Sequence, residues 1–380
     1  MNTVNTSEIK EHILSCNIKR IGASETPVFV ISDRYNGVWM EHLLDAVVWA
    51  ELSGDTSTAF GQMDLFFDYQ KPDGQLPLAV RDKPSYGQTQ ECVSIGSLCL
   101  DLLRLKNDEK TAEKWYSGIL RWVEWLKKYR MITERGLCEM FCGYDVGHDN
   151  SGRLDGMKYR GRVSDDAKDF PLGCNVAPVL APDMNAVFYG DIVAAAKLAK
   201  MLQRYTEASR LEEYAAEIRT KIIEVCYEKE DDFFYDVDKN GIKRKIKNIS
   251  ITNVLHEGVT DSEQSRRIFM RHLWNENEFK APYPFPSVSM DEPVWKKPDK
   301  ENCWGYYSQA LTVLRATRWM PRLGLEKELA EVLNLWVKAW EKSRTVKYGQ
   351  ELDPITGEPS SASPWYSSCM LLCLVADKLF

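Results

Sequence analysis

The feature that most constrains this chain is an alternation between two kinds of helical segment. Five stretches read as helices apolar nearly all round: EHLLDAVVWAEL, CVSIGSLCLDLLRL, MNAVFYGDIVAAAKLAKML, CWGYYSQALTVLRATRW and PWYSSCMLLCLVADKLF. Between them lie stretches such as KTAEKWYSGILRWVEWLKKY, ASRLEEYAAEIRTKIIEV and EKELAEVLNLWVKAW, each with an apolar stripe and a charged face. A helix apolar all round must be covered on every side, whereas an amphipathic helix can keep one face in water. Repeated inner and outer helices predict an all-α (α/α)6 toroid. Hairpins start near 41, 92, 184, 250 and 304, and a sixth forms when the last segment, 365–379, closes against 7–16. The pair around 249–274 carries the weakest periodicity. Strand signals are confined to 27–32 and to 232–245, where Asn240-Gly241 marks a hairpin turn. No Pro- or Ser-rich linker interrupts the 380 residues, which predicts one domain spanning 1–380.

Composition narrows the partners. No apolar run approaches the ~20 residues that a membrane span needs, and the polar N-terminus has no apolar core of a signal peptide. The net charge is −7 and no basic stripe appears, which argues against nucleic acid. The ten cysteines form no CxxC pair. Cys138/Cys142 and Cys369/Cys373 are spaced four apart, as buried helix faces are, so the thiols are read as reduced and the protein as cytoplasmic. Nothing in the chain fixes an oligomeric state.

Residues 144–159 are the densest in chemistry. They place Asp145, Asp149, Asp155, His148, Asn150, Ser151 and Arg153 in a Gly-punctuated loop. Such a loop is a poor core element and a good grip on a polyhydroxylated ligand. Long loops follow the outer helices at 71–91, 130–183 and 343–364, and in a toroid these converge on one end. Aromatic residues in such loops suit the apolar faces of sugar rings. The predicted pocket therefore takes Trp39, Tyr86, Gln90, Asn150, Arg153, Asn185, Trp304 and Trp365, with a small carbohydrate as partner. Cleavage of a glycosidic bond needs one carboxylic acid to protonate the leaving oxygen and a second carboxylate to activate water or attack directly. Asp149 is the acid candidate, with Asp145 raising its pKa by like-charge proximity. His148 and Asp145 admit a metal reading, but a loop hydrogen bond fits a single histidine better, so no metal is expected. The chemistry requires no cofactor.

Several stretches together resemble one family. Asp149-x-Ser-x-Arg153 is similar to the general-acid motif of trehalases and of the mannosylglycerate-hydrolase-like group, related to glycoside hydrolase family 63. Trp39-Met-Glu-His-Leu-Leu-Asp-Ala resembles the group's first inner helix, and Gln70-Lys-Pro-Asp-Gly-Gln-Leu-Pro77 its first long turn. Pro182-Asp-Met-Asn-Ala186, Cys303-Trp-Gly-Tyr-Tyr-Ser-Gln-Ala-Leu311 and Asp353-Pro-Ile-Thr-Gly-Glu358 follow in the same order. The resemblance implies a six-hairpin glycoside hydrolase working with inversion on a small glycoside or oligosaccharide. One departure stands out. Relatives carry their general base as a Glu three residues before the late-loop Asp, and here that position is Gln350. Glu351 is the neighbouring candidate, with Glu91, Glu139 and Glu358 as alternatives. Epimerases of the same toroid need histidines late in the chain, and none follows His272. An unsaturated-glucuronyl hydrolase and a non-catalytic sugar-binding protein remain as rival readings, the second favoured by Gln350.

Overall fold

A computed structural model describes residues 4–22, 24–89, 93–154, 166–169, 177–343 and 346–379. In chain order the α-helices are α1 (Thr6–His12), α2 (Leu43–Ser53), α3 (Thr56–Asp68), α4 (Ile95–Leu105), α5 (Glu109–Arg130) and α6 (Pro182–Met201). They continue with α7 (Tyr205–Cys226), α8 (Ile251–Glu257), α9 (Ser262–Ile268), α10 (Ala310–Trp319), α11 (Glu326–Lys342) and α12 (Ser367–Leu379).

Six of these form a closed ring. Helix α2 packs on α4, α4 on α6, α6 on α8, α8 on α10, α10 on α12, and α12 returns to α2. Outside it, α3, α5, α7 and α11 each lie against the inner helix that precedes them in sequence, and α1 packs on α12. This is the (α/α)6 toroid, with the sixth pair made from the two ends of the chain. The fourth pair gave little periodicity because α8 spans only 7 residues and α9 another 7 before passing into a π-helical turn, Phe269–Leu273.

Local chemistry sets the helix ends. The side chains of Asp55, Ser94 and Asp108 accept the otherwise orphaned N–H groups of Thr58, Ser97 and Thr111. Pro182 opens α6, and Gly54 closes α2 at φ +80°. Two inner helices start later than the periodicity predicts. Ser308–Gln309 is extended and pairs antiparallel with Glu351–Leu352, so α10 begins at Ala310 and not at Trp304. Trp365 sits at φ +50°, and α12 begins at Ser367. Of the residues that mimic a longer helix there, Trp304 and Tyr366 line the cavity described below, and Cys303, Tyr306 and Tyr307 form a small apolar cluster of their own. The 232–245 signal is a true hairpin, with Asp236–Val237 paired to Lys243–Arg244 and Gly241 at φ +80° in the turn.

One continuous cluster of buried apolar side chains runs from Ile9 to Ala376 and includes Trp115, Trp122, Trp125, Trp319 and Trp336. Most of the tryptophan content is therefore core. Among the described residues, no helix is long and apolar enough to cross a membrane.

Candidate active site

Chain segments that lead into the inner helices meet at one end of the ring around a cavity of about 800 Å³, counted with its open mouth. Its wall takes Tyr35, Trp39, Glu41 and His42 from the entry to α2, and Leu78, Arg81, Ser85 and Gln88 from the loop before α4. Tyr144, Gly147 and Asp149 come from the loop before α6, and Asn302, Trp304, Gln350 and Tyr366 from the late loops. Among the described residues on this wall there are two carboxylates, Glu41 and Asp149.

The surroundings of Asp149 favour its protonated form. The residue is half-buried, and burial pushes its pKa up to about 7, opposed by a hydrogen bond from Asn302. The Asn302 Nδ2 donates to Oδ2 at 3.1 Å, while Oδ1 has no protein partner. Desolvation penalises the charged form, which keeps the proton on the group near neutral pH. The backbone is held separately: the Trp304 N–H donates to the Asp149 carbonyl at 2.9 Å. Gly305 lets these loops approach, since a Cβ there would lie 3.2 Å from both the Asn150 carbonyl oxygen and the Gly152 nitrogen.

The polar residues flanking Asp149 serve the loop. Arg153 is fully buried and donates to Asp183 at 2.7 and 2.9 Å and to Asp236 at 2.8 and 2.7 Å. It also donates to His148 Nδ1 at 2.9 Å, and the imidazole stacks on Trp304 with ring centroids 4.5 Å apart. Burial and the Arg153 guanidinium push His148 down to about 3, so the ring is neutral. Burial alone would raise Asp183, but Arg153 holds it below the usual carboxylate range. With every donor directed at these partners, Arg153 anchors the acid loop to α6 and does not face the sugar.

Asp145 is a correction of the same kind. It does not line the cavity. Arg130 grips it through two N–H···O bonds of 3.0 and 2.8 Å, and the Phe141 and Cys142 amides donate to it at 2.8 and 3.2 Å. The shift of Asp149 comes from burial and not from this neighbour. Asn185 is also inward: it clasps the Cys138 backbone from both sides, at 2.7 and 3.0 Å. Asn150, at φ +57°, donates to the Asn302 carbonyl at 2.9 Å and lies outside the cavity wall.

Among the predicted aromatic platforms, Trp39 and Trp304 line the cavity and two others do not. The Tyr86 hydroxyl donates to the Tyr69 carbonyl at 2.6 Å beneath Lys71. Trp365 stacks on His12 at 4.1 Å, and its neighbour Tyr366 takes the wall position instead. Gln90 and Glu91 lie outside the described residues.

The late loop answers the question of the base in an unexpected way. Gln350 faces the cavity, donating from Nε2 to Asn302 Oδ1 at 2.8 Å, with its own Oε1 buried and unpaired. Glu351 follows in the strand, where successive side chains point to opposite sides. It turns away from the cavity into four donors: Asn302 N at 2.8 Å, Cys303 N at 3.2 Å, Gln309 Nε2 at 2.7 Å and Ser360 Oγ at 2.7 Å. Glu351 is thus an anchor for the 302–303 turn, and its assignment as base is corrected. Glu139 is equally saturated by Thr133, Ile132 and Arg135, and Glu358 is exposed away from the wall.

Sequence reasoning passed over Asn302, Tyr35, Arg81, Gln88 and Tyr366. None sits in a motif, and only the fold brings them together. Among the described residues, no group of three or more His, Cys, Asp or Glu is arranged to hold a metal ion.

The model of the mannosylglycerate hydrolase MGH1-like glycoside hydrolase domain matches residues 37–364. The chain belongs to this family. It is a glycoside hydrolase domain, and solved structures share its fold across nearly its whole length. A family 63 mannosylglycerate hydrolase from Thermus thermophilus, solved with glucose, is 18% identical with a TM-score of 0.77, over 97% of this chain and 98% of that one. An uncharacterized conserved protein from the same organism is 20% identical at TM-score 0.78, over 97% and 98%. A neutral trehalase from Saccharomyces cerevisiae is 13% identical at TM-score 0.71, over 100% of this chain and 80% of that one. A sequence relative, an uncharacterized protein of Borreliella burgdorferi, is 26% identical over 152 residues, which span 38% of this chain and 31% of that protein.

Proposed function

We propose that this domain hydrolyses a small glycoside with inversion at the anomeric carbon, and that Asp149 is the general acid. The observation that carries the proposal is the place of Asp149: its residue lines the cavity, one carboxyl oxygen is buried without a protein partner, and burial raises its pKa to about 7. A group in that state delivers a proton to a leaving oxygen and takes no part in scaffolding. The cavity is of a size to take a small ligand. Trp39 and Trp304 offer aromatic surface, while Gln88, Arg81 and Asn302 offer polar contacts. The ligands bound to the Thermus hydrolase, glucose in one complex and D-glycerate in another, support glycosyl-glycerates and disaccharides as first substrates. A cytoplasmic setting is supported by eight free cysteines among the described residues, seven of them buried.

The test measures sugar release from α- and β-linked disaccharides and glycosyl-glycerates by wild type and Asp149→Asn, with proton NMR following the first-formed anomer. Loss of on the order of 10²–10⁴-fold is expected for substrates with poor leaving groups. A glycosyl fluoride needs no proton to depart and should still be turned over by the variant. Equal loss on both substrate types would remove Asp149 from the acid role. Binding without turnover by wild type would favour the sugar-binding reading that Gln350 invites.

A further inference from the structure

We propose that the general base of this domain is Glu41, presented by the entry turn of the first inner helix, in place of the late-loop carboxylate. The inference rests on the glycosidase reading above and assigns the second half of its chemistry.

The first ground is what the late loop offers. Gln350 occupies the cavity-facing position, and an amide cannot take a proton from water. Glu351 points the other way and is filled by four donors. A slip of one residue would bring it round, but Ser308–Gln309 pins the register by pairing Ser308 with Leu352 and Gln309 with Glu351.

The second ground is position. Glu41 belongs to the turn Met40–His42, which leads directly into α2. It lines the same cavity as Asp149 and comes from a different part of the ring. Tyr35 lines the same cavity. An inverting enzyme needs two carboxyl groups ~6.5–9.5 Å apart to admit a water, and Glu41 and Asp149 are the two carboxylates among the described wall residues.

The third ground is support. The Arg315 Nη2 donates to the Glu41 carbonyl at 3.0 Å and fixes the turn. His42 Nδ1 stands 3.4 Å from Glu41 Oε1, and its Nε2 is paired with the Tyr366 hydroxyl. Burial and Arg315 hold His42 far below its usual pKa, so the imidazole is neutral. His42 Nδ1 makes no hydrogen bond, so the imidazole stands beside Glu41 as a neutral neighbour fixed by Tyr366.

The step balances. Glu41 takes one proton from water as the water oxygen bonds to the anomeric carbon. The bond from that carbon to the leaving oxygen breaks, and Asp149 supplies the proton that the leaving oxygen acquires. The released sugar has inverted configuration, and proton exchange with solvent restores both carboxyl groups.

The experiment compares wild type, Glu41→Gln, Glu41→Asp and Asp149→Asn on a disaccharide that wild type hydrolyses and on the matching glycosyl fluoride, with and without sodium azide. Thermal unfolding of each variant runs alongside. Glu41→Gln should lose on the order of 10²–10⁴-fold in kcat on both substrates, unlike Asp149→Asn, which keeps the fluoride. Azide, already anionic, should restore fluoride consumption by Glu41→Gln and give a glycosyl azide of inverted configuration. Glu41→Asp keeps the charge on a shorter arm, so should retain part of the activity. Hydrolysis by a folded Glu41→Gln within about tenfold of wild type would overturn the assignment. So would a loss confined to KM, or wild-type turnover that needs inorganic phosphate and yields a sugar 1-phosphate. Those results leave Asp149 and the glycosidase reading standing, whereas an inactive wild type removes both together.

Discussion

Two loops of this domain each carry neighbouring polar residues that look interchangeable in sequence, and the structure treats each pair oppositely. In the acid loop, Asp145 is locked by Arg130 and two backbone amides, while four residues later Asp149 keeps a bare oxygen on the cavity wall. In the late loop, Glu351 is locked by four donors, while Gln350 takes the cavity-facing place with its own oxygen bare. Each loop therefore has an anchor and a presenter. In the first the presenter is an acid and in the second an amide. Residue type alone does not tell chemistry from scaffolding, because a carboxylate surrounded by donors has no reactivity left to give. The number of donors aimed at it does.

Breaking the anchors should unfold, and altering the presenters should change catalysis. The largest structural effect is expected at Arg153, whose replacement by Met strands Asp183 and Asp236 as buried charges and should lower unfolding free energy by about 3–5 kcal/mol. Urea titration reads this directly, and a loss under about 1 kcal/mol would return Arg153 to the sugar-binding role. Glu351→Ala should cost about 2–3 kcal/mol through its stranded donors. The kcat of the folded fraction should stay within a few-fold of wild type. A variant that is stable and dead would reinstate Glu351 as base.

The presenter gives a pH signature. Asp149 acts only when protonated, so activity should fall as pH rises through about 7. The Asn302 N–H favours the ionised carboxylate, so Asn302→Ala should move that limb to higher pH, by less than about one unit or 1.4 kcal/mol. A limb that stays in place or moves to lower pH would mean another group controls it. The smallest effect is expected from Trp365→Phe, within about 0.5 kcal/mol in stability and with KM unchanged. A clear rise in KM would put that ring back in the sugar pocket.

The ring of helices was legible because burial on all sides leaves a mark on every residue of a segment, as in α6, and survives errors of a few positions. The site was legible only where a motif survives: Asp149 stands out in its loop, and Trp39 and Trp304 lie in stretches that resemble the family. The directions of side chains were not legible. Asp145, Asn185 and Arg153 have the right chemistry for a sugar, but partners far along the chain, such as Asp236, consume it. Glu41 lay within one of the family-like stretches yet drew no attention, since a carboxylate at a helix start is ordinary. Asn302 is a lone asparagine in sequence and the most connected residue of the site in space.

That connection has a consequence for how such a domain can vary. Asn302, at φ +53°, touches Asp149 through its amide nitrogen, Gln350 through its amide oxygen, Glu351 through its backbone N–H and Asn150 through its carbonyl. One residue thus touches both the proton-carrying group and the loop that faces it. A change at Asn302 that reshapes the cavity should therefore also move the pH limb set by Asp149.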